Sequence, residues 1–142
     1  SKLIRKSLVD QGHITFDPTR VANDAMFSIR TAYAAGKITA SMEIIYCITR
    51  GEGSLTAVRS RENYYTRLDV FIRKYKFLRE NLSRYEWKTL DLLGEHYIKM
   101  AKAYHLSKTE IFKIYALFLK NGIRPFISRK SVWRKLMKRW KG

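Results

Sequence analysis

Two tetrapeptides constrain this chain more than any other feature: Ser83-Arg84-Tyr85-Glu86 and Ser107-Lys108-Thr109-Glu110. In each, the serine can accept from an amide of the first helical turn while the glutamate reaches back to the serine amide, which predicts a helix start. Leu82 with Trp87, and Leu106 with Ile111, stand at the flanking apolar positions that staple such a start. The two starts predict one helix from Ser83 that ends near His105 and another that runs to Asn121-Gly122, with Pro125 beyond as a stop.

The rest of the chain reads in the same period. Asp17-Pro18 predicts a helix start, Val21, Ala22, Ala25, Met26, Ile29 and Tyr33 follow at helical spacing, and Gly36 stands where a left-handed terminator belongs. A second helix is expected from about Thr39 to Thr49 with Met42, Ile45 and Ile48 inward, closed by Gly51-Glu52-Gly53-Ser54. Ser54 then opens a long basic-backed segment to about Glu80, its apolar face made of Tyr64, Leu68, Phe71, Tyr75 and Leu78. With only 2 Pro and 7 Gly and no repeat or linker composition, the expectation is an all-α, single compact domain of about six helices. His13-Ile14-Thr15-Phe16 is expected to add a short extended piece. Residues 1–128 would form the helical domain, and 129–142 a basic amphipathic C-terminal helix packed on it, with Trp133, Leu136, Met137 and Trp140 inward.

Charge points to a partner. The chain carries 29 Lys+Arg against 12 Asp+Glu, a net +17, and residues 55–142 hold 22 basic and 7 acidic side chains, or +15 of it. After Glu110 no acidic residue remains. A merely solubilising surface mixes both signs, whereas a one-signed surface repels itself unless a polyanion neutralises it. Nucleic acid is therefore the expected partner, DNA ahead of RNA. Arg59 and Arg61 are candidate phosphate contacts, and so are Arg129, Lys130, Arg134, Lys135, Lys138 and Arg139 on the last helix. The same Trp/Lys pattern also describes a membrane-surface helix. Among nine tyrosines, Tyr64, Tyr75, Tyr97 and Tyr104 lie on apolar helical faces and are expected in the core, which leaves Tyr65 and Tyr85 freer.

The segment Met100 to Ile114 resembles a helix-turn-helix DNA-binding unit over about residues 97–118. Ala101 occupies the small position that lets the helices cross closely, Leu106 the apolar turn position, and Ile111 and Ile114 the positions that pack back; His105 stands where the family prefers glycine. The resemblance implies that the second helix enters the major groove, with Ser107, Lys108, Thr109, Phe112 and Lys113 near its leading end. The helix N-terminus itself would favour a phosphate. An ordinary buried helical hairpin has the same spacings, because Phe112, Tyr115, Leu117, Phe118 and Leu119 make this helix apolar nearly all round.

Catalysis has no legible home. His13, His96 and His105 are the only histidines, no metal-ligand spacing, phosphate-cradling glycine loop or nucleophile elbow is present, and neither a metal nor a cofactor is expected. Cys47 is the sole cysteine, no apolar run approaches the ~20 residues that span a bilayer, and Ser1 to Val9 is too polar for a signal peptide, so a cytoplasmic location is expected. The reading is thus a non-enzymatic DNA-binding protein, a transcriptional regulator or an accessory factor of replication, transfer or recombination of a mobile element. A homodimer on paired half-sites is expected with it. An RNA-binding subunit of a ribonucleoprotein and a membrane-surface-active protein are the alternatives.

Overall fold

The computed structural model describes residues 2–44, 46–47, 59–90 and 92–125. Among these the regular structure is all helical: α1 (Lys6–Gln11), α2 (Asp24–Ala34), α3 (Arg61–Asn81), α4 (Arg84–Leu90), α5 (Glu95–Ala103) and α6 (Lys108–Lys120). The chain divides into two compact units, Ser1–Val70 and Phe71–Gly142, so that α3 contributes its first ten residues to one and the remainder to the other.

One device ends three of these helices. After α1, α5 and α6 the chain turns through a left-handed residue, His13 (φ 46°), His105 (φ 55°) and Gly122 (φ 68°) respectively. In each case that residue's N–H donates to the carbonyl three positions back, and the next N–H donates five positions back: Ile14 to Val9, Leu106 to Ala101 and Ile123 to Phe118. These are Schellman closures, which satisfy the orphan carbonyls of the last turn. The residue after each left-handed position, Ile14, Leu106 or Ile123, is buried. Burial of that apolar side chain offsets the cost of holding two histidines in a conformation that glycine adopts freely.

In the first unit α1 packs against α2, and Phe16 stacks on Phe27 with ring centroids 4.1 Å apart. Several expectations need correction here. Residues 6–11 are helical, with a Lys6–Asp10 ion pair of 2.6 Å, His13 and Ile14 close that helix, and Thr15 and Phe16 belong to no strand. Asp17-Pro18 does not open α2. The Asp17 amide instead donates to the Asn23 carbonyl, the Thr19 hydroxyl to the Val21 carbonyl, and Ala22 is left-handed (φ 57°), which no continuing helix permits. The helix therefore starts at Asp24, buries Met26 and Thr31, and leaves Tyr33 on its exposed side. Gly36 is not its left-handed stop, since Ala35 has already turned extended.

The expected helix from Thr39 is also absent from the described residues: 37–44 are non-helical and Met42 is 97% exposed. Thr39, Ile44 and Ser41 favour helix poorly, and the Ser41 hydroxyl draws the Glu43 amide into a local turn. Ile45, Ile48 and the closing Gly51 to Ser54 lie outside the described residues. So does the predicted start at Ser54, but the capping residue is Ser60, whose hydroxyl accepts from the Asn63 amide, and α3 begins at Arg61. From there Tyr64, Leu68, Phe71 and Tyr75 of the predicted face are buried, and Leu78 is half-buried.

The second unit is built on aromatics. Phe71 stacks on Tyr97 at 4.3 Å and meets Phe118 edge-on at 6.0 Å, while Tyr75 meets Trp87 edge-on at 4.8 Å. The Ser83 capping box forms, the Ser83 amide donating to Glu86 at 2.9 Å and the Glu86 amide to the Ser83 hydroxyl at 3.3 Å. Its helix, however, is two helices. Gly94 lies against Phe118 so closely that a Cβ there would sit 2.5 Å from the ring, and its amide donates to the Arg124 carbonyl at 2.8 Å. That close approach fixes the start of α5 and ends any continuous helix from Ser83 to His105.

Candidate nucleic-acid interface

The sequence of α5 and α6 sorts itself by burial. α5 packs against α6, Ala101 is 0% exposed, and Leu106, Ile114 and Phe118 are buried, with Ile111 half-buried. Ile111, Ile114 and Phe118 recur every three to four residues and make one face of α6. The turn between the helices is the Schellman closure at His105, so the position where the helix-turn-helix family prefers glycine does adopt the left-handed conformation.

The opposite face of α6 is open. Ser107, Lys108, Thr109, Phe112 and Lys113 are all exposed, Phe112 by 73%, and the exposure continues through Ala116, Leu119 and Lys120. A helix buried all round is therefore ruled out, because only Ile114 and Phe118 of α6 are buried. The five residues that the sequence singled out lie together on its leading two turns.

They are not equivalent. Ser107 closes the cap: its hydroxyl accepts from the Glu110 amide and donates to Glu110 Oε2 at 2.7 Å, while its own amide donates to the same carboxylate at 2.8 Å. The carboxylate of Glu110 thus already supplies negative charge to the amides at the start of α6, which weakens the case for a phosphate there. Lys108 and Lys113 carry the positive charge of this face, and among the described residues no carboxylate pairs with either. Thr109 adds a hydroxyl and Phe112 a flat apolar surface.

Two further predicted contacts, Arg59 and Arg61, belong to the first unit. Arg59 is exposed ahead of α3, and Arg61 is exposed in its first turn. Arg129, Lys130, Arg134, Lys135, Lys138 and Arg139 lie outside the described residues. Tyr65 and Tyr85 are exposed and Tyr64 and Tyr75 buried, as the helical spacing implied, whereas Tyr97 and Tyr104 are half-buried rather than in the core.

Sequence reasoning missed a cleft of about 250 Å³ lined by Tyr75, Arg79, Trp87, Lys88, Leu92, Leu93, Gly122 and Arg124. Its walls come from the end of α3, from α4, from the link to α5 and from the turn after α6, so no linear spacing announces it. The described residues hold no group of three or more His, Cys, Asp or Glu placed to bind a metal ion, and no helix among them is long and apolar enough to cross a membrane. No family model matches the chain, and no curated protein or solved structure matches it.

Proposed function

We propose that this is a non-enzymatic DNA-binding protein that lays the exposed face of α6 in the major groove. The observation that carries the reading is the joint exposure of Lys108, Thr109, Phe112 and Lys113 on a helix that packs against α5 and buries Ile114 and Phe118 on its other face. A helix held on one side and open on the other can enter a groove about 12 Å wide without unfolding its support. Lys108 and Lys113 meet phosphates or guanine edges, Thr109 a phosphate or base edge, and Phe112 a thymine methyl. The excess of cations over the second half of the chain supplies the sequence-independent attraction.

Size and charge suit a transcriptional regulator or an accessory factor in replication, transfer or recombination of a mobile element, acting as a homodimer on paired half-sites. The test is binding to matched duplex DNA, single-stranded DNA and double-stranded RNA in parallel at several salt concentrations. Preference for duplex DNA, with a subset of sequences bound more tightly than the rest, is the expected result. Equal or tighter binding to double-stranded RNA would overturn the reading in favour of backbone recognition of an A-form helix.

A further inference from the structure

We propose that the cleft between Tyr75, Arg79, Trp87, Lys88, Leu92 and Arg124 binds the phosphate monoester of a single nucleotide, whether free or at the 5′ end of a strand. The inference does not rest on the α6 reading. The cleft adjoins Gly122 at the far end of α6, and a helix of 13 residues separates it from Ser107 by roughly 20 Å.

Among the described residues the lining contains three cations and no acid. Among the described residues no ion pair engages Arg79, Lys88 or Arg124. A space of this size is on the order of 8 Å across, comparable to the Debye length, so salt screens an anion inside it from these charges only in part. Like charges brought to one concavity repel each other, and a dianion there removes that cost.

Of the two guanidiniums, that of Arg79 is located by a side-chain contact, and Arg124 by its backbone. Arg79 Nη1 lies where a Cβ on Gly122 would come within 2.7 Å, so the absence of a side chain at Gly122 is what admits it. Arg124 is held through its backbone carbonyl, which accepts from the Gly94 amide at 2.8 Å. Both charges act on the phenol of Tyr75, whose hydroxyl donates to the Gly122 carbonyl at 2.6 Å. The planar fork of a guanidinium matches the oxygens of a phosphate better than a lysine does.

Size and lining narrow the ligand. At about 250 Å³ the cleft falls below the roughly 300–1,000 Å³ of pockets that enclose drug-sized molecules, so it holds a phosphate and its sugar but not a dinucleotide cofactor. The half-buried indole of Trp87 and the side chain of Leu92 give the organic part an apolar wall.

The chain has 3 Trp, so replacing Trp133 and Trp140 by Phe leaves Trp87 as the only indole and its emission as a local readout. We would titrate that protein with AMP, adenosine, and a short single strand carrying either a 5′-phosphate or a 5′-hydroxyl. AMP, the 5′-phosphorylated strand or both should change Trp87 emission saturably, with adenosine and the 5′-hydroxyl strand about tenfold weaker or more. Binding of AMP identifies a free nucleotide as the source, and binding of the phosphorylated strand alone identifies a strand end. Lys88→Ala and Arg124→Ala should each weaken that binding about tenfold, and Lys108→Ala should leave it unchanged. Calorimetry on the unsubstituted full chain and on Lys88→Ala, an exposed position, repeats the comparison without the Trp replacements. Equal responses to phosphorylated and unphosphorylated ligands, or full binding by both the Lys88 and Arg124 variants, would overturn the proposal. Loss of duplex-DNA binding by Lys108→Ala with the cleft titration intact would separate the two sites.

Discussion

The Tyr75 hydroxyl donates to the Gly122 carbonyl at 2.6 Å, joining positions 47 apart in sequence. It fastens the turn after α6 to the middle of α3. Burial pushes the phenol above its ordinary value of 10.0, more than Arg79 and Arg124 pull it down, so the donor proton stays in place at neutral pH. The linked stability is present below pH 10.0 and is lost as pH rises through the raised folded-state value. Tyr75→Phe removes one side-chain hydrogen bond while keeping the ring against Trp87, and is expected to cost about 1 kcal/mol in urea unfolding. It should also flatten the alkaline limb of the stability profile.

Gly94 tests packing without backbone strain, because its φ of −73° is open to any residue. A methyl group there would sit 2.5 Å from Phe118 Cε2, and Phe118 is completely buried. Gly94→Ala should therefore destabilise by about 1–3 kcal/mol, the usual cost of overpacking. Adding Phe118→Leu should recover part of the loss in a double-mutant cycle, which an effect confined to the backbone would not show.

Helix existence was legible where local chemistry decides it. The boxes at Ser83 and Ser107, the face of α3 and the stop at Gly122 all follow from side chains within one or two turns of each other. What escaped was decided at a distance. The break before α5 depends on Phe118, 24 positions after Gly94, and the cleft draws on four separate stretches. The stretch 37–44 misled because Met42 and Ile45 have helical spacing, although Ile38, Met42, Ile44 and Tyr46 also share one parity, the pattern of extended chain. Left-handed histidines carry no sequence signal comparable to glycine, which is why the closure after α1 was not foreseen while that at His105 needed the family resemblance to suggest it.

Those histidines are a place to gain stability. His105 is exposed and held at φ 55° by the closure between α5 and α6. Glycine accepts that geometry without a Cβ penalty, at the expense of a more flexible unfolded chain, so His105→Gly should stabilise by about 0.5–1 kcal/mol. His13→Gly, at φ 46°, should behave alike. Thermal unfolding checks both. His105→Ala is the control, because it keeps the Cβ strain and should bring no gain.

The Glu86 carboxyl titrates below its ordinary value of 4.5 because the Ser83 side chain and backbone both donate to it. A lowered folded-state value means that this contribution is present above pH 4.5 and is lost as pH falls through the lowered value. In Glu86→Gln the cap becomes independent of pH in that range. The expected outcome is that acid frays α4 in the parent but not in the variant relative to its own neutral state, followed by amide exchange of Ser83 and Glu86.

The α6 reading makes its sharpest demand on Lys108, Phe112 and Lys113, which share the exposed face yet interact with DNA through different physics. A lysine on a phosphate releases a counterion, so its replacement by Ala should weaken binding to every duplex alike and lower the salt slope by about 0.9. A side chain on a base edge should instead cost about 1–3 kcal/mol on the preferred sequence and little on random DNA. Phe112 has no charge, so Phe112→Ala should leave the salt slope unchanged and reduce only the preference between sequences. None of the three substitutions should move the melting temperature much, because the supporting contacts run through Ala101, Leu106, Ile114 and Phe118. If Lys108→Ala and Lys113→Ala leave both affinity and slope as they were, α6 does not touch DNA. The affinity must then come from the other basic surfaces, beginning with Arg59 and Arg61, which the same titration on Arg59→Ala would register.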